Sequence, residues 1–299
     1  MIDFVQNTVD GVAMGSAYAL LALGFTLIFG VMKRLNIAFG PSIMVGIFAG
    51  IFVQAQYAAG LIPLAVVTVL GAVAASFYVE RVCFRAIRTD AVLASMVSSF
   101  AIWMQLEEAV SLVFPSRTYA FPPLTTLPPI EVLELYLRVE HLIMLGIAVA
   151  LMLGLHALLT RSRFGLELRA VADSVEAARV ARVNVRAVAL ATFLLAAAVG
   201  GVAGFLIASA EGVVTTKFGM WATLKGVTAM VLGGLGSVRG AVIGGLILGV
   251  VEAQAQWYLG AAWREIATYG LLFVALVLLP AGLAGRRWTG EEMEAGGRL

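Results

Sequence analysis

Nine stretches of mostly apolar residues, each close to the length of a membrane-spanning helix, occupy most of this sequence. About 20 apolar residues in a helix cross the ~30 Å hydrocarbon core of a bilayer. A soluble protein of 299 residues with 61% hydrophobic content would have too little polar surface to cover its core. We therefore predict an all-α polytopic integral membrane protein with eight to nine transmembrane helices, in which residues 1–299 form a single transmembrane domain. The nine stretches lie at about 9–31, 38–56, 61–79, 91–114, 141–159, 188–209, 222–237, 241–259 and 266–283. The lower number applies if the Gly-rich stretch 222–237 does not fully cross.

The distribution of basic residues predicts the orientation. The opening MIDFVQNTVD has no Lys or Arg, unlike the basic start of a cleaved signal peptide, so we expect the first span to be retained. With the N-terminus outside, fifteen of the 20 Lys and Arg residues fall in inner segments. The outer side keeps only Arg117, Arg138, Lys217, Lys225 and Arg264. By the positive-inside rule the N-terminus is outside, and the C-terminal tail, about 284–299, is cytoplasmic.

The longest inner loop, about 160–187, contains a charged segment that looks out of place in so apolar a chain. Val171, Val175 and Ala178 recur at helical spacing, while Arg169, Asp173, Glu176 and Arg179 take other faces. We predict a short amphipathic helix just below the membrane. Its basic residues are also consistent with enforcing topology or touching anionic lipid headgroups. The mixture of acids and bases favours a protein partner.

Four ionisable residues fall within predicted spans, where charge is costly. Glu107, Glu108, Lys225 and Glu252 all lie in the outer halves of their spans. One interpretation is an outer vestibule for a zwitterion, which needs an acid near the ammonium and a base or a helix N-terminus near the carboxylate. The alternative is that these side chains snorkel to the interface or pair with each other.

Glycines at spacings of four, such as Gly11 with Gly15 and Gly245 with Gly249, predict helix faces whose backbones approach closely. The run LGGLGSVRG, 232–240, is either a tight cytoplasmic turn or a helix broken at depth. A single cysteine, Cys83, and two histidines leave no Cys-rich metal site. The chain also lacks a GxxxxGK[ST] phosphate loop, so the energy for any transport must come from another chain or from an ion gradient.

Three blocks of the sequence resemble the permease subunits of ABC importers for branched-chain amino acids. Residues 11–46, GVAMGSAYALLALGFTLIFGVMKRLNIAFGPSIMVG, are similar to the first-span signature of that family. Residues 169–204 resemble its cytoplasmic loop and following span, and residues 226–252 its Gly-rich late segment. The blocks occur in the family's order. The matching positions in the first block are Tyr18, Ala19, Leu20, Leu23, Gly24, Thr26, Leu27, Ile28, Phe29, Gly30, Asn36, Ala38, Gly40, Met44 and Gly46.

The resemblance implies roles for two groups of residues. The loop helix is expected to dock on a cytoplasmic ATPase, with its Arg residues paired to acids and its Val and Ala residues at a desolvated centre. The start of the second span is expected to line the translocation pathway. The docking residues would be Arg169, Val171, Asp173, Val175, Glu176, Ala178, Arg179 and Arg182; the pathway residues would be Asn36, Phe39, Gly40 and Met44. The chain itself would hold no catalytic residue, metal or cofactor, since ATP would bind to the ATPase subunits.

The resemblance also implies partners and a location. We expect a second permease subunit, two cytoplasmic ATPase subunits and a periplasmic solute-binding protein, with the chain embedded in the lipid of the bacterial inner membrane and no nucleic acid bound. The solute would be a branched-chain or related amino acid. The proline-stiffened outer loop 115–140 would receive the binding protein through Glu131, Glu134 and Arg138. A plain connecting loop is the alternative.

Two positions depart from the family pattern. Arg182 stands where the family usually carries Gly, so we expect the loop helix to continue further before it turns. Phe39 and Pro41 flank Gly40, where the family commonly shows a His and an acid. If those polar groups gate or select substrate, this chain does so differently.

Two other classes of membrane protein stay open. A self-sufficient secondary transporter or channel for small polar solutes would need an acid or a Na⁺ site near the bilayer midplane. The mid-span regions here offer hydroxyls, glycines and apolar groups instead, which favours the ABC permease. A membrane scaffold would need no pathway at all.

Overall fold

The computed structural model describes residues 2–58, 60–85, 92–116, 118–132, 135–279 and 281–284. Within these residues the chain forms eleven α-helices, and nine of them coincide with the nine apolar stretches. The predicted all-α class is therefore confirmed. The nine are α1 (Ile2–Met32), α2 (Phe39–Tyr57), α3 (Leu61–Val79), α4 (Val92–Val113), α5 (Val139–Arg161), α8 (Val185–Glu211), α9 (Phe218–Gly233), α10 (Val238–Leu259) and α11 (Trp263–Leu278). Two short helices, α6 (Arg163–Asp173) and α7 (Val175–Val180), lie in the loop between α5 and α8.

Six of these helices are long and apolar enough to cross a membrane by length and composition. They are α1, α2, α5, α8, α10 and α3 together with the π-helical turn Glu80–Arg85 that continues it. Helices α9 and α11 have 16 residues each, or about 24 Å of rise, which is less than the ~30 Å hydrocarbon core. The ninth helix, α4, has 22 residues, so a nine-span arrangement also includes α4 and needs α9 and α11 to be supported inside the bundle by their neighbours.

The helix contacts repeat in the two halves of the chain. Helix α1 packs on α10 just as α8 packs on α3, and α2 packs on α3 just as α9 packs on α10. Helices α1 and α8 also contact each other, as do α2 and α9. By these contacts the group α1–α4 corresponds to the group α8–α11.

The two halves run in opposite directions. Gln6, near the start of α1, hydrogen-bonds the backbone of Tyr136, and the Phe121 N–H donates to the carbonyl of Gly212 at the end of α8. Both contacts involve the segment between α4 and α5, so α1 begins at the face where α8 ends. The halves are inverted repeats, an arrangement common in membrane transport proteins.

Glycines bring α1 and α10 into backbone contact. A Cβ on Gly249 would collide with the backbone of Gly11 and Gly15, and one on Gly245 with Ala19. The close approach predicted from the four-residue spacing is confirmed for this helix pair.

The run 232–240 forms a tight turn. Helix α9 ends at Gly233, and α10 begins at Val238 with the Ser237 hydroxyl accepting from the Gly240 N–H. Gly234 and Gly236 take φ values of 106° and 81°, which favour glycine. Of the two alternatives for this run, the structure supports the turn.

The segment between α4 and α5, predicted to be stiffened by its prolines, contains paired strands. Strand β1 (Tyr119–Ala120) pairs antiparallel with β4 (Val213–Val214), which follows α8. Strands β2 (Ile130–Val132) and β3 (Leu135–Leu137) pair in a second two-stranded sheet. Glu134 and the tail 285–299 lie outside the described residues.

Candidate functional site

A buried ion pair joins three helices in the C-terminal half. The Lys225 ammonium on α9 donates to Glu252 Oε1 on α10, and 2.8 Å separates it from the Thr268 hydroxyl oxygen on α11. Thr268 in turn donates to Glu252 Oε1. The Lys225 side chain is only 1% exposed and that of Glu252 3%, so each charge depends on the other. Of the two interpretations of these residues, the structure shows the pairing.

The network extends to the first helix. Glu252 Oε2 accepts from the Tyr18 hydroxyl at 3.0 Å and from Arg264 Nε at 3.2 Å. Arg264 Nη2 donates to the Tyr18 oxygen at 2.7 Å and to Glu211 Oε1 at 3.2 Å. Five helices, α1 and α8 to α11, thus share one polar network, and buried networks of this kind hold their helices in a defined arrangement.

Trp221 of α9 covers the positive side of this network. Lys225 Nζ lies 5.4 Å from the centre of its ring and the Arg264 guanidinium 5.8 Å, within the range of cation–π attraction. The indole N–H donates to Glu265 Oε1 at 3.2 Å, and Lys225 Nζ lies 3.3 Å from that same oxygen.

A cavity of about 390 Å³ lies above the network, between α1, α5, α8, α10 and α11. Its titratable lining residues are Asp10, Tyr18, Arg138, His141, Glu211, Glu252 and Arg264. Asp10 Oδ1 lies 2.9 Å from His141 Nδ1, and Asp10 Oδ2 accepts from Gln6 at 3.1 Å. The cavity therefore combines acids and bases at the end of the bundle where α1 begins.

Only part of the predicted vestibule is assembled. Glu252 lines the cavity and Lys225 lies directly behind it, but Glu107 and Glu108 are not among the lining residues. Glu107 instead accepts from Trp103 on the same helix at 2.7 Å, and Glu108 is exposed. Grouping all four acids and bases into one vestibule was wrong, because α4 does not border the cavity. Sequence reasoning missed Asp10, Tyr18, Glu211 and Arg264, although the three charged ones stand near predicted span ends.

The predicted pathway residues are enclosed in the core. Asn36, Phe39, Gly40 and Met44 are all buried. The Phe39 ring lies against Gly24 and Gly200 and stacks edge-on with another phenylalanine, Phe25. None of the four lines the cavity. A pathway at this place requires the surrounding helices to move apart, and the assignment stays a prediction.

The start of α2 meets the start of α9 in the bundle. Gly40 packs against the Gly219 carbonyl and Thr223, and Gly219 packs against Pro41. Because α1 and α8 are antiparallel, these two starts would lie at opposite faces if both preceding loops stayed at the surface. The contact shows that the loops reach into the bundle toward each other.

The loop predicted as one amphipathic helix contains a break. Helix α6 ends at Asp173, and Ser174 is extended, with its hydroxyl accepting from the Ala177 N–H at 3.3 Å as the cap of α7. Val171 and Ala178 are buried within the chain, so they do not form an outward apolar stripe. The expected desolvated docking centre is wrong for these two residues.

The outward face of this loop carries different apolar residues. Val175 is 37% exposed, Leu166 64% and Val180 86%. The charged members of the predicted docking set surround them and are all exposed: Arg169, Asp173, Glu176, Arg179 and Arg182. The docking role itself stays a prediction.

Arg182 ends this segment in an unexpected conformation. Its φ is 60°, and α7 stops at Val180. The expectation that the helix would continue past this position is wrong. The backbone adopts the left-handed conformation that a glycine favours, even though the side chain is Arg.

Residues 7–279 match the model of the family described as branched-chain amino acid transport system, permease component. The chain belongs to this family. It is therefore a component of a transport system and a multi-pass membrane protein.

Curated relatives support the same family over nearly the whole chain. The high-affinity branched-chain amino acid transport system permease protein LivH of Salmonella typhimurium is 32% identical, covering 95% of this chain and 96% of that protein. BraD of Pseudomonas aeruginosa, which carries the same description, is also 32% identical with the same coverage. The xylose transport system permease protein XylH of Escherichia coli is 30% identical over 42% of this chain and 34% of its own length. A solved inward-facing ABC transporter of the metal-chelate type aligns at 13% identity with a TM-score of 0.49, too low to support an argument.

Proposed function

We propose that this chain is the membrane-spanning subunit of an ATP-driven importer that carries branched-chain or related amino acids across the bacterial inner membrane. The observation that carries this proposal is the similarity to LivH and BraD over 95% of the chain. The partial similarity to XylH indicates that related sequences serve a sugar transporter. The solute is therefore inferred from the full-length relatives.

The partners follow from the same similarity and from the described surface. The exposed mixture of Leu166, Val175 and Val180 with acids and bases suits a protein partner, and an ATPase subunit would dock there. A second permease chain, a second ATPase subunit and a solute-binding protein would complete the importer, with the binding protein at the opposite end. The N-terminus would be outside and the C-terminus cytoplasmic.

The inverted halves support a pathway between them. Helices α2 and α9 begin against each other, and neither N-cap residue, Ala38 or Lys217, caps its helix with its own side chain. Uncapped helix N-termini at depth favour an anionic group such as a carboxylate. Separation of the two halves would expose these N-termini together with Asn36 and Gly40.

The buried charges also fit a second candidate function, that of a secondary transporter. Lys225 and Glu252 lie inside membrane helices, where ion-coupled carriers place titrating groups. The two functions differ in their energy source. Uptake by the purified chain alone in liposomes, driven by an ion gradient without ATP, would contradict the importer.

The docking face can be tested with Val180→Asp. Because Val180 is 86% exposed, the change leaves the packing of the chain intact but places a charge at the centre of the proposed contact. An unpaired charge buried in an apolar contact is unfavourable, and a cost of ~1.4 kcal/mol already weakens binding tenfold, so we expect co-isolation of the ATPase and ATP-driven leucine uptake both to fall at least tenfold.

The matched control is Leu127→Asp, which adds the same charge at an exposed apolar position of the outer segment. It should leave ATPase recruitment unchanged. Normal recruitment and uptake by Val180→Asp, at normal abundance in the membrane, would show that α7 does not dock the ATPase.

A further inference from the structure

The cavity beside the buried network has the dimensions of a small-molecule site. Its volume of about 390 Å³ falls in the range of ligand pockets, which is about 300–1,000 Å³. Along α1 its lining runs from Asn7 to Tyr18, a depth of about 16 Å at the rise of an α-helix. It narrows onto Tyr18, Glu252 and Arg264, whose mutual hydrogen bonds form its floor.

The charges in the lining are balanced. Glu252 is neutralised by the buried Lys225 directly behind it. This leaves the carboxylates of Asp10 and Glu211 and the guanidinium groups of Arg138 and Arg264. Two negative and two positive groups suit a ligand that carries both charges, and they disfavour one with a large net charge of either sign.

Two donors in the lining are available to a ligand. The hydrogen bonds of Arg264 to described residues use Nε and Nη2, so Nη1 is left for an anionic group. The Asn7 side chain is more than nine-tenths buried, and its Nδ2 has no hydrogen-bond partner among the described residues. A buried amide without a partner is costly unless something binds to it. Arg264 Nη1 fits a carboxylate at the floor of the cavity, whereas the Asn7 amide lies toward the other end of the lining.

The same cavity has an apolar side. Met14, Ala210, Ala253 and Trp257 complete its wall. An aliphatic side chain could pack there while the charged groups of the same molecule meet the acids and bases.

We propose that this cavity binds a small zwitterion with an apolar side chain, a neutral α-amino acid, within a single permease chain. Asp10 and Glu211 bind the ammonium group, Arg264 binds the carboxylate, and the Met14 and Trp257 side chains contact the aliphatic part. The proposal rests on the function proposed above and adds a site on the side of the buried network where α1 begins. Passage of the ligand beyond this site requires the Tyr18, Glu252 and Arg264 network to open.

A cysteine in the wall reports occupancy directly. The full chain is purified into lipid nanodiscs with Ala210→Cys, and the buried Cys83 is replaced by Ala. The rate of modification by a water-soluble maleimide is measured with L-leucine, with 4-methylpentanoate, which lacks the ammonium, and with 3-methylbutylamine, which lacks the carboxylate. At saturating L-leucine we expect the rate to fall about tenfold, because the ligand covers the thiol, and neither analogue should slow it.

Two further variants locate the effect. Asp10→Asn in the same background should raise the L-leucine concentration for half-protection about tenfold, because the ammonium loses a charged partner. Leu127→Cys, exposed on the outer segment and not part of the lining, should react at a rate that L-leucine does not change.

The proposal is overturned if L-leucine leaves the rate at Ala210→Cys unchanged, or if 4-methylpentanoate protects as well as L-leucine does. Leucine uptake by the complete transporter is measured in parallel with the unaltered chain. Normal uptake without protection would contradict the cavity site alone, whereas absence of amino-acid uptake would contradict the proposed function.

Discussion

Lys225 and Glu252 show what sequence reasoning can and cannot supply at the scale of single residues. Both stand out because charges inside apolar spans are costly. Their hydrogen-bond partners cannot be predicted in the same way, because Tyr18 and Arg264 are 246 positions apart in the chain. No local pattern indicates that α1 and α11 meet at one carboxylate, so the network becomes visible only with the helix packing.

Arg182 is a residue whose backbone conformation could not be predicted from the sequence. The sequence predicts that the loop helix continues past this position, but α7 ends at Val180. The backbone keeps a φ of 60°, so the turn is set by the surrounding chain. For a non-glycine residue this conformation costs about 1–2 kcal/mol.

We predict that Lys225→Met strongly destabilises the chain. The substitution keeps the length of the side chain but removes the ammonium from Glu252 Oε1, leaving Arg264 as the cation on Oε2, and breaking a buried pair costs up to about 3–5 kcal/mol. The matched control is Lys217→Met, which removes an exposed lysine at the start of the same helix. Thermal unfolding of both variants in detergent should show a large loss for Lys225→Met and little change for Lys217→Met. Equal melting temperatures would mean that the pair contributes nothing to stability.

At the scale of elements, the apolar stretches located nine helices of the described residues, because a helix inside a bilayer must be apolar, although α9 and α11 are shorter than the ~30 Å hydrocarbon core. The break between α6 and α7 was missed although its signal was present: Ser174 is a typical N-cap residue. The helical spacing of Val171, Val175 and Ala178 concealed it. Which side of each short helix faces the bundle depends on the packing of α6 against α1 and α8, which the spacing does not contain.

The contact between α1 and α10 gives a prediction that separates packing from helix propensity. Gly249→Ala forces a methyl group against the Gly15 backbone and should destabilise the chain by about 1–3 kcal/mol. Gly154→Ala on α5 meets nothing within 4 Å and should be neutral or stabilising by up to about 1 kcal/mol. The melting temperatures of the two variants in the same detergent decide this. A similar change in both would contradict the close packing of α1 and α10.

The whole molecule has a symmetry that the sequence alone did not suggest. The two halves are similar in the order and contacts of their helices. Helix α5 lies between them in the chain, and this additional crossing gives the second half the opposite direction. The apolar stretches predict eight to nine spans. The antiparallel arrangement of α1 and α8 at the centre depends on helix packing.

The orientation of the whole molecule is predicted from charge and structure together. The structure places the outer segment around Thr126 and the α6–α7 loop around Ser174 at opposite ends of α5, and the excess of Lys and Arg assigns the second end to the cytoplasm. Both residues are exposed, so each accepts a cysteine without loss of packing.

With an impermeant maleimide, Thr126→Cys should react in spheroplasts, whereas Ser174→Cys should react only in inverted membrane vesicles. Position 290 in the tail should behave like Ser174, but it lies outside the described residues. Reaction of Ser174→Cys in spheroplasts would show that the orientation is the opposite of the predicted one. It would also place the α6–α7 surface where no ATP-hydrolysing partner can reach it, so one labelling result would contradict both the topology and the coupling role.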